Sequence, residues 1–124
     1  MTPSAHKKRT GDRGEDLAAR YLEGKGYEIL DRNFKTREGE IDIIARDGDT
    51  LVFVEVKTGA GPAFGDPGEW VDDTKQRRIC ATSEDYLYRH EIEDMNCRYD
   101  VIAVRLRERG HSLKHIPGAF WAEF

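Results

Sequence analysis

The run from Glu40 to Lys57, EIDIIARDGDTLVFVEVK, leaves little freedom in how it folds. Glu40 to Asp47 alternates polar and apolar residues, and Thr50 to Val56 is rich in β-branched and aromatic side chains. Both are strand patterns. Asp47-Gly48-Asp49-Thr50 joins them, and Gly48 at the first central position suits a two-residue type II′ hairpin turn. With Asp47 facing Thr50, Asp42 falls opposite Glu55 and Glu40 opposite Lys57. Alternation then sends these side chains out from one face at one end of the hairpin. Ile41, Ile43, Ala45, Val52, Val54 and Val56 form the other face. Nearer the turn, Ile44, Leu51 and Phe53 make the first face apolar as well. Both faces need cover, which predicts a sheet with helices on each side.

Opposed carboxylates repel, and half-burial raises the cost. A proton, a neighbouring cation or a bound metal must offset it. Lys57 offsets one charge, with Glu40 competing for it. A hard divalent cation with oxygen ligands would offset the rest. The spacing is equally open to a cross-strand Glu40–Lys57 ion pair, with Asp42 and Glu55 solvated at the sheet end. A one-residue slip would put Asp42 and Glu55 on opposite faces.

At 124 residues the chain is long enough for one domain with a core. A net charge of −4 and a pI of about 5.6 argue against a protein that coats nucleic acid through bulk charge. They leave room for a local basic groove. Cys80 and Cys97 match no metal or redox spacing and lie in apolar segments, so they read as buried thiols in a reducing compartment. No signal peptide or membrane-length apolar run stands out, so the expectation is cytoplasmic, without a membrane partner.

Residues 1–9 read as a flexible basic arm and 10–124 as a single domain. Leu17, Ala18, Tyr21 and Leu22 form the stripe of a helix over residues 12–23, ended by Gly24 and Gly26. Asp12 and Glu15 have capping-box spacing, which makes Glu15 an N3 cap. Tyr27 to Phe34 reads as a strand. Arg32, Lys35 and Arg37 form a basic cluster near the carboxylates, either solvated or in contact with phosphate. Residues 58–68 predict a flexible loop, with Phe64 either anchoring it to the core, the preferred reading, or stacking on a base. Asp72, Asp73 and Thr74 offer caps for a helix running to about Arg89, with Lys75, Arg77 and Arg78 near its start. Cys97–Leu106 and Ser112–Ile116 are further strands, the last broken by Pro117 and Gly118. Ala119–Phe124 reads as a short terminal turn or helix. Asp100 reads as a salt-bridge partner. The order is helix, three strands, helix, two strands, and the long connection allows a parallel return. The expected fold is α/β, a mixed sheet flanked by helices on both faces.

The segments GEDLAARYLEGKGYEILDRNF, GEIDIIARDGDTLVFVEVKT, RYDVIAV and HIPGAF resemble the YraN family of small bacterial proteins, over Thr10 to Phe120. The resemblance implies a restriction-endonuclease-like fold related to archaeal Holliday-junction resolvases. The nuclease motif of that superfamily is an acid, a gap, then Asp or Glu, any residue, and Lys. Asp42, Glu55 and Lys57 match it. By resemblance, Asp42 and Glu55 would ligate Mg²⁺ or Mn²⁺, and Lys57 would orient or activate the attacking water. Glu15 matches the first-helix acid of the resolvase-like branch, which adds a catalytic reading to the capping one. Lys75 resembles a helix position with a phosphate role. Phosphate contacts are expected from Lys35, Arg37, Lys75 and Arg78. Ile41 stands where relatives often carry proline. Thr58-Gly59-Ala60 replaces a basic residue many relatives carry, which removes one phosphate contact but not the metal site. The leading expectation is a metal-dependent nuclease acting on DNA rather than RNA, with branched or damaged DNA among its candidate substrates. The alternative is a non-catalytic nucleic-acid-binding or protein-interaction module on the same fold. Resolvases need two active sites, so the analogy admits a homodimer.

Overall fold

A computed structural model describes residues 3–60 and 71–121, with side chains from Gly11 onward. The elements are α1 (Pro3–Gly24), β1 (Glu28–Lys35), β2 (Glu40–Asp47), β3 (Thr50–Ala60), α2 (Asp73–Arg89), β4 (Asn96–Leu106) and β5 (His111–Phe120). They make one five-stranded sheet in the order β1-β2-β3-β4-β5. Strands β3 and β4 pair in parallel, joined through α2, and the other neighbours are antiparallel. The fold is α/β with a mixed sheet, as the element order implied.

The hairpin register holds from Asp47–Thr50 to Ile43–Val54. Gly48 has a φ of 61° and Asp49 keeps a negative φ, the type II′ pattern. Beyond Ile43 the ladder stops, and the Val56 N–H donates to the Asp42 carboxylate at 2.7 Å instead. Ile41 departs from its expected face. It packs with Ile44, Leu51 and Phe53 rather than with Ile43 and Ala45. Its β1 partner Phe34 follows Asn33, whose φ of 54° breaks the alternation of that strand.

Strand alternation puts Leu51 and Phe53 on one face and Val52 and Val54 on the other. The first pair packs with Ile79, Cys80 and Tyr86 of α2. The second packs with Ala18, Ala19 and Leu22 of α1. The two helices therefore cover opposite faces. Cys80 is buried and Cys97 half-buried, both as free thiols. Among the described residues no helix is long and apolar enough to cross a membrane.

Several boundaries differ from expectation. Helix α1 starts at Pro3 and takes in most of the residues read as an arm. Asp12 thus lies inside the helix, and the Asp12–Glu15 capping box does not form. The other end is as expected: Gly26 takes a φ of 90°, and the Tyr27 N–H donates to the Leu22 carbonyl at 3.0 Å. Strand β3 continues to Ala60; the rest of the expected loop, Phe64 included, lies outside the described residues. Strand β5 runs through Pro117 and Gly118 instead of breaking there. It is an edge strand, where proline is tolerated. A register shift between Tyr99 and Val101 absorbs the irregularity, and Gly118 adopts a φ of 59°. Ala119 and Phe120 belong to β5, and residues 122–124 lie outside the described set.

Helix α1 crosses β3 at Gly14. A Cβ there would come within 1.9 Å of the Thr58 hydroxyl oxygen and 2.7 Å of its methyl carbon. Gly14→Ala is expected to destabilise the protein by about 1–3 kcal/mol through overpacking. Gly11 faces open space, so Gly11→Ala is expected to stabilise by up to about 1 kcal/mol through helix propensity. Urea unfolding of both variants checks this; equal stabilities would contradict the close crossing.

Candidate functional site

A cleft of about 440 Å³ opens between the end of the β2–β3 hairpin and the first turns of α2. Glu40, Asp42, Glu55, Asp72, Lys75 and Arg78 line it. Asp42 and Glu55 face the same cleft, although the ladder ends at Ile43–Val54 and does not itself pair them. Asp72 caps α2, its carboxylate accepting the Lys75 N–H at 2.8 Å. That cap fixes the turn from which Lys75 reaches back to the sheet.

Glu55 is buried and forms an ion pair with the Lys75 ammonium. Asp42 is half-buried and, among the described residues, accepts one hydrogen bond, from Val56. Burial first, and then the charge of Glu55, push the Asp42 carboxyl up to about 8. The Val56 N–H pulls the other way, while Glu15 and Glu40 add to the rise. At neutral pH the metal-free carboxyl therefore holds its proton. Burial also acts on Lys75, favouring its neutral form, but the hydrogen bond and charge of Glu55 outweigh it and raise the ammonium above the ordinary lysine value.

The repulsion is thus offset by a proton and a cation, and that cation is Lys75, not Lys57. Lys57 is exposed and makes no ion pair among the described residues. It does not line the cleft, although alternation places it on the same face of β3 as Glu55. The cross-strand Glu40–Lys57 pair is absent. Glu40 instead stands 3.9 Å from Lys35, its β1 partner.

Of the basic residues expected to meet phosphate, Lys75 and Arg78 line the cleft. Lys35 flanks it through Glu40, and Arg37 is exposed in the β1–β2 turn, outside the lining. Arg32 leaves this group altogether, reaching Glu15 at 2.9 Å and Asp16 at 2.7 Å on α1. Glu15 is buried, and its Oε1 also accepts from the Asn33 amide at 3.0 Å. It lies outside the cleft lining and acts on Asp42 through charge. The Arg32–Asn33 clamp went unseen in the sequence. Its one signal was an Asn within a strand, a residue that tolerates positive φ.

Asp100 is the instructive contrast. It is fully buried at 0% exposure. Arg98 donates to both its oxygens at 2.9 and 3.0 Å, and the Gly118 N–H donates at 3.0 Å. His115 Nε2 lies 2.7 Å away. Burial alone would raise this carboxyl, but those partners outweigh it and hold it below the ordinary carboxylate range. Asp100 is satisfied as the salt-bridge partner expected of it. Asp42 has a single donor among the described residues.

Among the described residues no group of three or more His, Cys, Asp or Glu side chains has a metal-holding arrangement. Two carboxylates nevertheless suit Mg²⁺, which keeps several waters and takes one or two carboxylates plus substrate phosphates. Asp42 and Glu55 are the residues that would hold it.

The raised Asp42 carboxyl has a consequence for stability without metal. Its ordinary value is 3.8 and its folded value about 8. Between these pH values the folded protein binds a proton that the unfolded chain releases, so stability falls as pH rises through the window. Asp42→Asn keeps the shape and the carbonyl acceptor but removes that slope. The variant is expected to match wild type near pH 4 and to exceed it by at least about 2 kcal/mol near pH 8. Denaturant titrations that stay parallel across this range would mean that Asp42 is solvated and unstrained.

The family model for "Uncharacterised protein family UPF0102" matches residues 14–104, which include every cleft residue named above. A UPF0102 protein of Alkaliphilus oremlandii is 50% identical over 115 residues, 91% of this chain and 98% of the relative. One from Geobacter sulfurreducens is 50% identical over 118 residues, 94% of this chain and 92% of the relative. One from Rhodococcus opacus is 45% identical over 120 residues, 94% and 99% of the two chains. The chain belongs to the uncharacterised family UPF0102, which is the YraN family its motifs resemble.

Proposed function

We propose that this protein is a metal-dependent nuclease that hydrolyses phosphodiester bonds in DNA. The observation that carries this reading is the convergence of Asp42 and Glu55 on one cleft, where Asp42 has one donor among the described residues and Lys75 and Arg78 share the lining. Buried, perturbed carboxyls in a cleft are typical of functional sites. A divalent cation, Mg²⁺ or Mn²⁺, supplies Lewis-acid charge and an activated water when bound there.

The chain's own residues divide the remaining work. Asp42 and Glu55 hold the cation. Lys75 and Arg78 meet phosphate oxygens across the cleft, and Lys35 and Arg37 extend the contact along its lip. Lys57, on the Glu55 face of β3, would orient the attacking water and meet the negative charge that builds on the phosphoryl oxygens. Glu15, held by Arg32 and Asn33, is a positioning residue that acts on Asp42 through charge. With a net charge of −4, the protein binds DNA through these few contacts rather than through bulk attraction. Branched or damaged DNA is the candidate substrate and the resolvase analogy adds a homodimer. A cytoplasmic setting suits the free thiols.

The second reading is a non-catalytic nucleic-acid-binding or interaction module. The exposed position of Lys57 outside the cleft lining favours it.

A cleavage screen over single-stranded, duplex, flapped and four-way DNA, with Mg²⁺, Mn²⁺ or chelator, separates the two. Metal-dependent cleavage is expected, falling by at least about 10²-fold in Asp42→Asn and in Lys57→Ala. DNA that is bound but never cut would assign the module.

A further inference from the structure

We propose that Lys75 is a built-in counter-ion that competes with the divalent cation for Glu55, so that metal entry requires the lysine to leave. This rests on Asp42 and Glu55 being the cation site.

The Lys75 ammonium contacts Glu55 directly. It also feels the charge of Asp72, the cap of its own helix. Only its head is committed there. Its backbone is fixed separately by the Asp72 cap, and its side chain is about half exposed. The flexible stem can swing away without disturbing α2. An ammonium and a divalent cation seek the same carboxylate oxygens, and two cations in one cleft repel. A cation bound at Glu55 therefore weakens the lysine contact, and the lysine contact weakens cation binding by the same factor. The displaced ammonium remains in a cleft lined by Arg78 and is free to take a phosphate oxygen. In this way metal loading prepares the site for its anionic substrate.

Arg78 is the control. It carries the same charge and lines the same cleft, but makes no ion pair among the described residues. Mn²⁺ binding is measured by calorimetry on wild type, Lys75→Met and Arg78→Met, all free of DNA. Lys75→Met is expected to bind Mn²⁺ about ten-fold tighter, the scale of one charge-assisted contact. Arg78→Met should stay within about two-fold, because its charge is exposed and screened. A second measurement uses wild type alone: the lysine ammonium NMR signal of Lys75 should shift over the same Mg²⁺ range that saturates the site. Equal or weaker Mn²⁺ affinity in Lys75→Met, an equal gain in Arg78→Met, or an unmoved Lys75 signal at saturation would overturn the competition while leaving the metal site standing. Mn²⁺ uptake by none of the three proteins would overturn the metal site itself, and the competition with it.

Discussion

Asp42 is carried against Glu55 by the packing of the β2–β3 hairpin, and burial raises the cost of two adjacent negative charges. The turn at Gly48 and the apolar residues along both faces leave the strands no other register. The ladder ends at Ile43–Val54, and the two carboxyls sit just past that end. The surroundings respond to the charge. Val56 turns its N–H to Asp42, Lys75 reaches back from α2 to Glu55, and Asp42 keeps a proton. Each response is partial, and each can be undone by a stronger cation.

The comparison with Asp100 separates structure from function. Asp42 lies on β2 and Asp100 on β4, the strands on either side of β3 in one sheet. Asp100 is enclosed by Arg98, His115 and Gly118, leaving nothing for a ligand to supply. Breaking such a network costs several kcal/mol, because a charge would be stranded without partners. Asp42 and Glu55 instead face a cleft and are compensated by groups that can exchange. Glu15 lies between these cases. It is buried and well bonded to Arg32 and Asn33, yet near enough to Asp42 to push on its proton.

Much of this was legible in the sequence, and the parts that were not share a cause. The hairpin and the cap at Asp72 follow from local chemistry. A Gly in a two-residue turn and an Asp before a helix each act within a few residues, and the parallel return follows from the length of the β3–β4 connection. The identity of the counter-cation is a long-range fact. Lys57 is two residues from Glu55 in the chain, but Lys75 is the neighbour in space because α2 folds back over the sheet end. Gly14 belongs to the same class. Read locally it marks a weak helix, yet its purpose is the contact with Thr58 on β3. The run of β5 through Pro117 depends on the strand lying at the sheet edge, which no local pattern announces.

The central claim is that Asp42 and Glu55 form a site for one divalent cation. The most direct test is anomalous diffraction from crystals soaked in Mn²⁺. The account predicts a single strong peak between the two carboxylates, with oxygen ligands at roughly 2.0–2.3 Å and the Lys75 ammonium moved off Glu55. An empty cleft with Lys75 still paired to Glu55 at saturating Mn²⁺ would contradict it.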